Sequence, residues 1–205
     1  MSSARLEAFS DGVFAVAITL LALDLHVDGP GPHNGTLAHQ LAHQWPVFAA
    51  YVVSFFVIGI VWVNHHALFT SFARADRALM FLNLVLLLWI VAIPFATSTM
   101  ATYLRSGGGD AHLAAALYSA VLEGMGLSFA SIFVWSVRGD NRTVPLPPDA
   151  TRAAVVRFTI GGVFYLIAIA LAFLSAPASL VLNALIAIYY VFEQTAVRTD
   201  EPEAA

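Results

Sequence analysis

Asp11 raises the first chemical question. It lies in residues 5–25, RLEAFSDGVFAVAITLLALDL, one helix-length of apolar chain with Arg5, Glu7, Ser10 and Asp11 at its front end. A helix starting at Ser10 or Asp11 would leave about 13 apolar residues, short of the roughly 20 that cross a bilayer. A start at Arg5 supplies the length but carries Asp11 about one and a half turns into the helix. A carboxylate there costs about 2.5–3.5 kcal/mol at full depth, less near the interface. Such a group faces protein or water rather than lipid. The first helix is therefore expected to be wrapped by others, its carboxylate having a partner or a task.

Trp62, Asn64, His65 and His66 of the second apolar run are the candidate partners. At 1.5 Å per residue, they and Asp11 lie at similar depth, roughly 10 Å from the inner surface. A histidine–carboxylate or histidine–hydroxyl bond would satisfy both buried groups. Two roles fit: a packing bond, or a proton relay or pH sensor. Glu123 falls near the middle of the fourth run beside Gly124 and Gly126, with no arginine at its depth. It is either a functional intramembrane acid or a protonated, hydrogen-bonded one. His26, His33, His39 and His43 gather in an outer segment, and His39 and His43 are spaced to share a zinc. No cysteine or adjacent carboxylate completes that site, so no metal is expected. Asp24 and Asp28 are interfacial residues or, if four copies met about an axis, an anionic ring at a pore mouth. Neither Gly-x-Ser-x-Gly, His-Glu-x-x-His nor a phosphate loop is present, and no enzyme activity is expected.

The elements that position these residues follow from hydropathy. The 205 residues are 60% hydrophobic and 11% charged, with a mean hydropathy of +0.80. That leaves too little polar surface to cover a soluble domain, so the chain is a multi-span membrane protein. The absence of cysteine excludes disulfides and thiolate metal sites. All nine basic residues are arginine, and a net charge of −4 points to no nucleic-acid partner. The lone Arg5, interrupted by acids and followed by no small-residue cleavage site, does not read as a signal peptide.

Six apolar runs predict an all-α domain over 1–197, with helices at about 5–25, 46–71, 78–104, 111–137, 153–174 and 178–197. The outer loop 26–44 holds Gly29-Pro30-Gly31-Pro32, which cannot be helical, then a short segment capped by Thr36. Pro94 is expected to kink the third helix, polar turns are expected at 105–110 and 138–152, and 198–205 is expected to be a disordered acidic tail. Six spans put both ends on one side. With the N-terminus inside, the inner segments hold Arg5, Arg74, Arg77, Arg138, Arg142, Arg152, Arg157 and Arg198, the outer ones only Arg105. This bias makes both termini cytoplasmic. The first-helix motif does not recur, so one chain has no internal symmetry for a central pore.

Two stripes run along the first helix. Ala8, Asp11, Ala15, Thr19 and Ala22 form a small-residue row of the kind that lets helices approach closely in lipid. Val16, Leu20, Leu23 and Val27 form a branched aliphatic row that by pattern alone is lipid-facing, core or a gate.

The spacing Arg5-x-x-x-Phe9-Ser10-Asp11, joined to Trp62-x-x-His65-His66, resembles the transmembrane protein 175 family, whose bacterial members are six-helix cation channels. SFFVIGIVWVNHHALF (54–69) and NLVLLLWIVAIPF (83–95) extend the likeness. It covers the first half closely and the second half only in length and hydrophobicity. The resemblance implies a homotetramer in a prokaryotic plasma membrane, its first helices lining one pore without a carbonyl selectivity loop. It implies passage of potassium and other monovalent cations with no cofactor. By position, the constriction is Val16, Leu20 and Leu23, with Thr19 beside it. The family's usual residue at the first position is isoleucine, so the valine ring is expected to be wider and less selective. Arg5, Phe9, Ser10, Asp11, Trp62, His65 and His66 would tie the first two helices together. The competing possibilities are a proton-coupled secondary transporter using Glu123 and His65, and a non-conducting enzyme or scaffold.

Overall fold

The computed structural model describes residues 3–27, 35–139 and 141–192. Asp28 and His33, the Gly-Pro pairs, and the expected tail and end of the sixth span (193–205) lie outside the described residues. Among those described there are seven α-helices. The helix α1 (Ser3–Leu21) runs into a 3-10 turn, Ala22–Asp24, so the expected first helix ends on a tighter coil. The short α2 (Leu37–His43) is capped by Thr36, whose hydroxyl accepts from the His39 amide at 3.2 Å. Next come α3 (Trp45–Phe69), with Pro46 in its first turn, and α4 (Arg77–Tyr103), capped by Asp76 accepting from the Leu79 amide at 2.9 Å. The helix α4 continues through Pro94 without a break.

Two expected turns are shorter than their composition suggested. The next helix, α5 (Gly108–Ser136), starts inside the glycine run. Gly107 and Gly108, at φ of 65° and 68°, reverse the chain there at no steric cost, and Asp110 joins the first turn, where the helix dipole favours an acid. Likewise α6 (Pro148–Ala172) takes in Asp149 and Arg152, which composition assigned to a loop. A proline in the first turn lacks only a donor that would be orphaned anyway. Last is α7 (Ala176–Phe192).

Five helices are long and apolar enough to cross a membrane: α1 with its turn, α3, α4, α5 and α6. This makes the chain a multi-pass membrane protein. The shorter α7 is a predominantly apolar helix over 176–191. The most enclosed helix is α5, which packs on α4, α6 and α7, while α1 packs on α3 and α4. Lipid is as apolar as leucine, so close backbone approach and internal hydrogen bonds hold such a bundle together. The α5 sequence supplies both. Ala111, Ala114, Ala115 and Ala116 are buried against neighbouring helices. Ser54 of α3 bonds Thr97 of α4 at 2.7 Å and Tyr118 of α5 at 2.9 Å. Ser119 joins Ser179 and Asn183 of α7 at 3.1 and 2.9 Å.

The α3–α4 and α5–α6 connections meet in a clasp. The Ala73 amide donates to the Asn141 carbonyl at 2.9 Å, the Thr143 amide to the Ser71 carbonyl at 3.0 Å, and Arg74 Nε to Asn141 Oδ1 at 3.1 Å. Two arginine-bearing loops expected on the inner side therefore share one end of the bundle. Beside them, burial lowers the proton affinity of the Arg142 guanidinium, which donates to Ser136 Oγ at 3.2 Å.

Gly124 sets the α4–α5 distance. A Cβ there would fall 2.5 Å from the Trp89 ring, closer than any two non-bonded carbons can stand, so the half-buried indole would have to shift. Gly124→Ala should lower thermal stability by about 1–3 kcal/mol, the usual range for overpacking. Adding Trp89→Leu should restore part of the loss; a double variant no better than the single one would place the clash elsewhere. Thermal unfolding in detergent measures both.

Candidate functional site

The first helix has one side held and one side bare. Leu6, Ser10, Phe14, Ala17 and Leu21 are buried against α3 and α4. Ala8, Phe9, Gly12, Ala15, Val16, Thr19, Leu20, Ala22 and Leu23 are exposed. At about 100° per residue they occupy an arc of roughly 160°. Val16, Leu20 and Leu23 are 55%, 38% and 75% exposed, too much for a core row. Among the described residues the small-residue row is left exposed except at the half-buried Asp11. The Thr19 hydroxyl donates to the Val16 carbonyl at 2.8 Å, which commits its proton and leaves its lone pairs outward.

Hydrogen bonds across α1, α3 and α4 hold the rotation of α1. His65 Nε2 donates to Asn83 Oδ1 at 2.9 Å; an amide oxygen only accepts, which fixes the tautomer. Asn83 Nδ2 donates to Ser10 Oγ at 2.9 Å, and Ser10 Oγ donates to the Leu6 carbonyl at 2.9 Å. The His65, Asn83 and Ser10 side chains are fully buried. His65 stacks on Phe69 at 3.8 Å between ring centres and lies 5.3 Å from Phe14. On the next face, Trp62 Nε1 donates to Asp11 Oδ1 at 2.9 Å. One turn along, His66 Nδ1 lies 2.7 Å from Glu7 Oε1.

The expected single network is thus three separate contacts. Asp11 finds the Trp62 indole and not a histidine. The histidine–carboxylate pair is His66–Glu7, and the histidine–hydroxyl link runs through Asn83. Neither Glu7 nor Asn83 was singled out in the sequence; a lone asparagine in the apolar run 78–104 was the available signal. Arg5 and Phe9 stand on the exposed arc, because they share the angular sector of Val16 and Leu23. The Asn83 chain ends on a backbone carbonyl and passes through an amide, which does not hand protons on as a hydroxyl or water does. This geometry is that of a latch.

The remaining sites lie apart. The half-buried Asp24 accepts from Ser98 Oγ of α4 at 3.1 Å. His39 and His43 have ring centres 6.0 Å apart, but Arg105 donates to His43 Nδ1 and to the His43 carbonyl, setting a cation where a zinc would sit. Among the described residues no group of three metal-ligating side chains occurs. Glu123 lies in a cleft lined by α3, α5, α6 and α7, on a different face of α3 from His65.

A family model described as "Endosomal/lysosomal potassium channel TMEM175" matches residues 5–94. A Streptomyces collinus protein named a potassium channel is 49% identical over 206 residues, 98% of each chain. A Chamaesiphon minutus protein, also named a potassium channel, is 34% identical over 201 residues, 94% of this chain and 95% of its own. The crystal structure of a lysosomal potassium-selective channel TMEM175 homologue from Chamaesiphon minutus superposes with a TM-score of 0.81 at 33% identity. It covers 93% of this chain and 96% of that one.

Asn83→Leu should leave Ser10 and His65 Nε2 short of a partner, destabilising the fold by about 1–3 kcal/mol. The second change His65→Phe should recover part of this, since no ring donor is then stranded. Unfolding midpoints in a fixed detergent decide; additive losses would mean that the two residues do not act as a unit.

Proposed function

This chain belongs to the TMEM175 family, a family of ion channels rather than enzymes, and from that premise we propose that it is a potassium-permeable cation channel. Four copies assemble with α1 innermost, and potassium and other monovalent cations pass a neck of α1 side chains. The carrying observation is the bare arc of α1. A helix latched on one side presents on the other a row of small residues that lets further helices approach closely, and one chain offers no symmetry to enclose a pore.

Val16, Leu20 and Leu23 form the constriction. Ala8, Gly12 and Ala15 are small enough for copies of α1 to converge on the inner side. An apolar neck gates by dewetting, and an ion crosses it partly stripped of water. Potassium holds its hydration shell less tightly than sodium, so the neck favours potassium modestly. Thr19 lone pairs offer replacement oxygens. The valine at position 16 makes the ring wider than an isoleucine ring. No carbonyl-lined loop takes part. Asp24, and Asp28 with it, raise cation concentration at the outer mouth. Six spans, α7 being the last, place both termini in the cytoplasm of a prokaryote, with the arginine-rich clasp between loops on the same side. Proton-coupled transport by His65 with Glu123 has weaker support, since the two face different sides of α3.

The purified protein in a planar bilayer, with potassium on one side and sodium on the other, should carry a steady current reversing on the potassium-selective side. Leu20→Ala should raise the conductance several-fold and reduce the preference for potassium. A folded tetramer that passes no current would overturn the proposal, and an unaltered Leu20→Ala would move the neck elsewhere on α1.

A further inference from the structure

The cleft between α3, α5, α6 and α7 has a cavity volume of about 100 Å³, is open on one side, and lies outside the arc assigned to ion passage. Its walls are apolar and aromatic, among them Val61, Phe129, Phe158 and Tyr165. Into it points Glu123, 8% exposed, whose Oε2 has no hydrogen-bond partner. A buried oxygen without a partner forfeits the bond that water would have supplied, and native structures keep few of these. Arg157, Asn64 and Tyr190, which also line the cleft, have interactions of their own.

The α6 backbone is cut back to accommodate these groups. A Cβ on Gly162 would stand 3.4 Å from Glu123 Oε1, and one on Gly161 would collide with the Tyr190 hydroxyl at 1.8 Å. Two adjacent glycines inside a helix each sacrifice about 1 kcal/mol of helix propensity. Here they are what lets a carboxyl and a phenol share one apolar space.

From this geometry we infer that the cleft is a binding site for a lipophilic amine, its nitrogen on the Glu123 carboxyl and its apolar body against Phe129, Phe158 and Tyr165. An amine suits this acceptor for a chemical reason. An ammonium donates to a carboxylate, and a neutral amine accepts from a carboxylic acid, so the N···O bond forms whichever atom holds the proton. In the ammonium state the aromatic faces add cation–π attraction. A neutral alcohol of equal size lacks the charge-assisted state. The amine can reach the cleft from the lipid, where its uncharged form dissolves.

Occupancy would bear on the first helix through α3. One face of α3 lines the cleft through Val57, Val61 and Asn64, while Trp62 and His66 on another face hold Asp11 and Glu7 of α1. A filled cleft therefore modulates conductance, a consequence that rests on the channel function proposed above, whereas binding does not.

Equilibrium binding of radiolabelled 1-adamantylamine to the full chain in phosphatidylcholine nanodiscs tests the site. Saturable binding is expected, about tenfold weaker in Glu123→Gln, whose amide still bonds the nitrogen but carries no charge to assist it. It should be abolished in Gly126→Leu, because a Cβ at 126 meets Tyr165 only at 3.9 Å and the longer side chain must project into the cleft. Unchanged affinity in either variant, or equal displacement by 1-adamantanol, overturns the site. Should Glu123→Gln not fold, Gly126→Leu and the alcohol decide. Bilayer recordings separate the two proposals. Amine that binds without altering the potassium current overturns the coupling alone, and absence of current before any amine is added overturns the channel and leaves the site standing.

Discussion

Satisfying the polar groups that α1 carries into lipid constrains everything else in this molecule. Ser10 is fully buried on α1, and no water in the bilayer core can meet its hydroxyl. Asn83, itself held by His65, donates to that hydroxyl and in doing so fixes the rotation of α1 about its own axis. Asp11 and Glu7, on neighbouring sectors, repeat the instruction through Trp62 and His66. With one side of the helix so tied, the opposite side is committed to exposure within the single chain. Val16, Leu20 and Leu23 stand there because Ser10, Phe14 and Ala17 do not.

The rest of the bundle serves the same arrangement by different means. In a solvent that rewards no apolar burial, α5 gains its neighbours through small residues, with Gly124 against Trp89 and four alanines on buried sectors. Serine-centred bonds then tie α5 to α3 and α4 on one side and to α7 on the other. The helix α3 is the common member: it latches α1, bonds α4 and α5, and walls the Glu123 cleft. In the proposed tetramer, that makes α3 the element through which a disturbance at the periphery can reach the axis.

Hydropathy and arginine bias made the membrane class, the all-α architecture and most helix positions legible, since a span must be both long and apolar to exist. The ends were less legible. Asp110, Asp149 and Arg152 look like loop residues by composition, yet first turns welcome acids and prolines, so α5 and α6 begin early. The depth of Asp11 correctly demanded a partner. Which of Trp62, Asn64, His65 and His66 it would be was not legible, because neighbouring positions on one helix lie at nearly the same depth and differ mainly in azimuth.

By itself the sequence determined that this is a helical membrane protein, that its first helix carries polar groups too deep to stand alone, and that an aliphatic row and a small-residue row share that helix. Each is a property of composition or of spacing along one strand of chain. The tertiary structure alone decided which row is bare, that Asn83 bridges Ser10 and His65, that Glu7 takes His66, and that Glu123 faces a cleft rather than a partner. These depend on the mutual rotation of helices dozens of residues apart in the chain. Periodicity gives each helix its faces, but only packing against the others chooses the direction in which each face points.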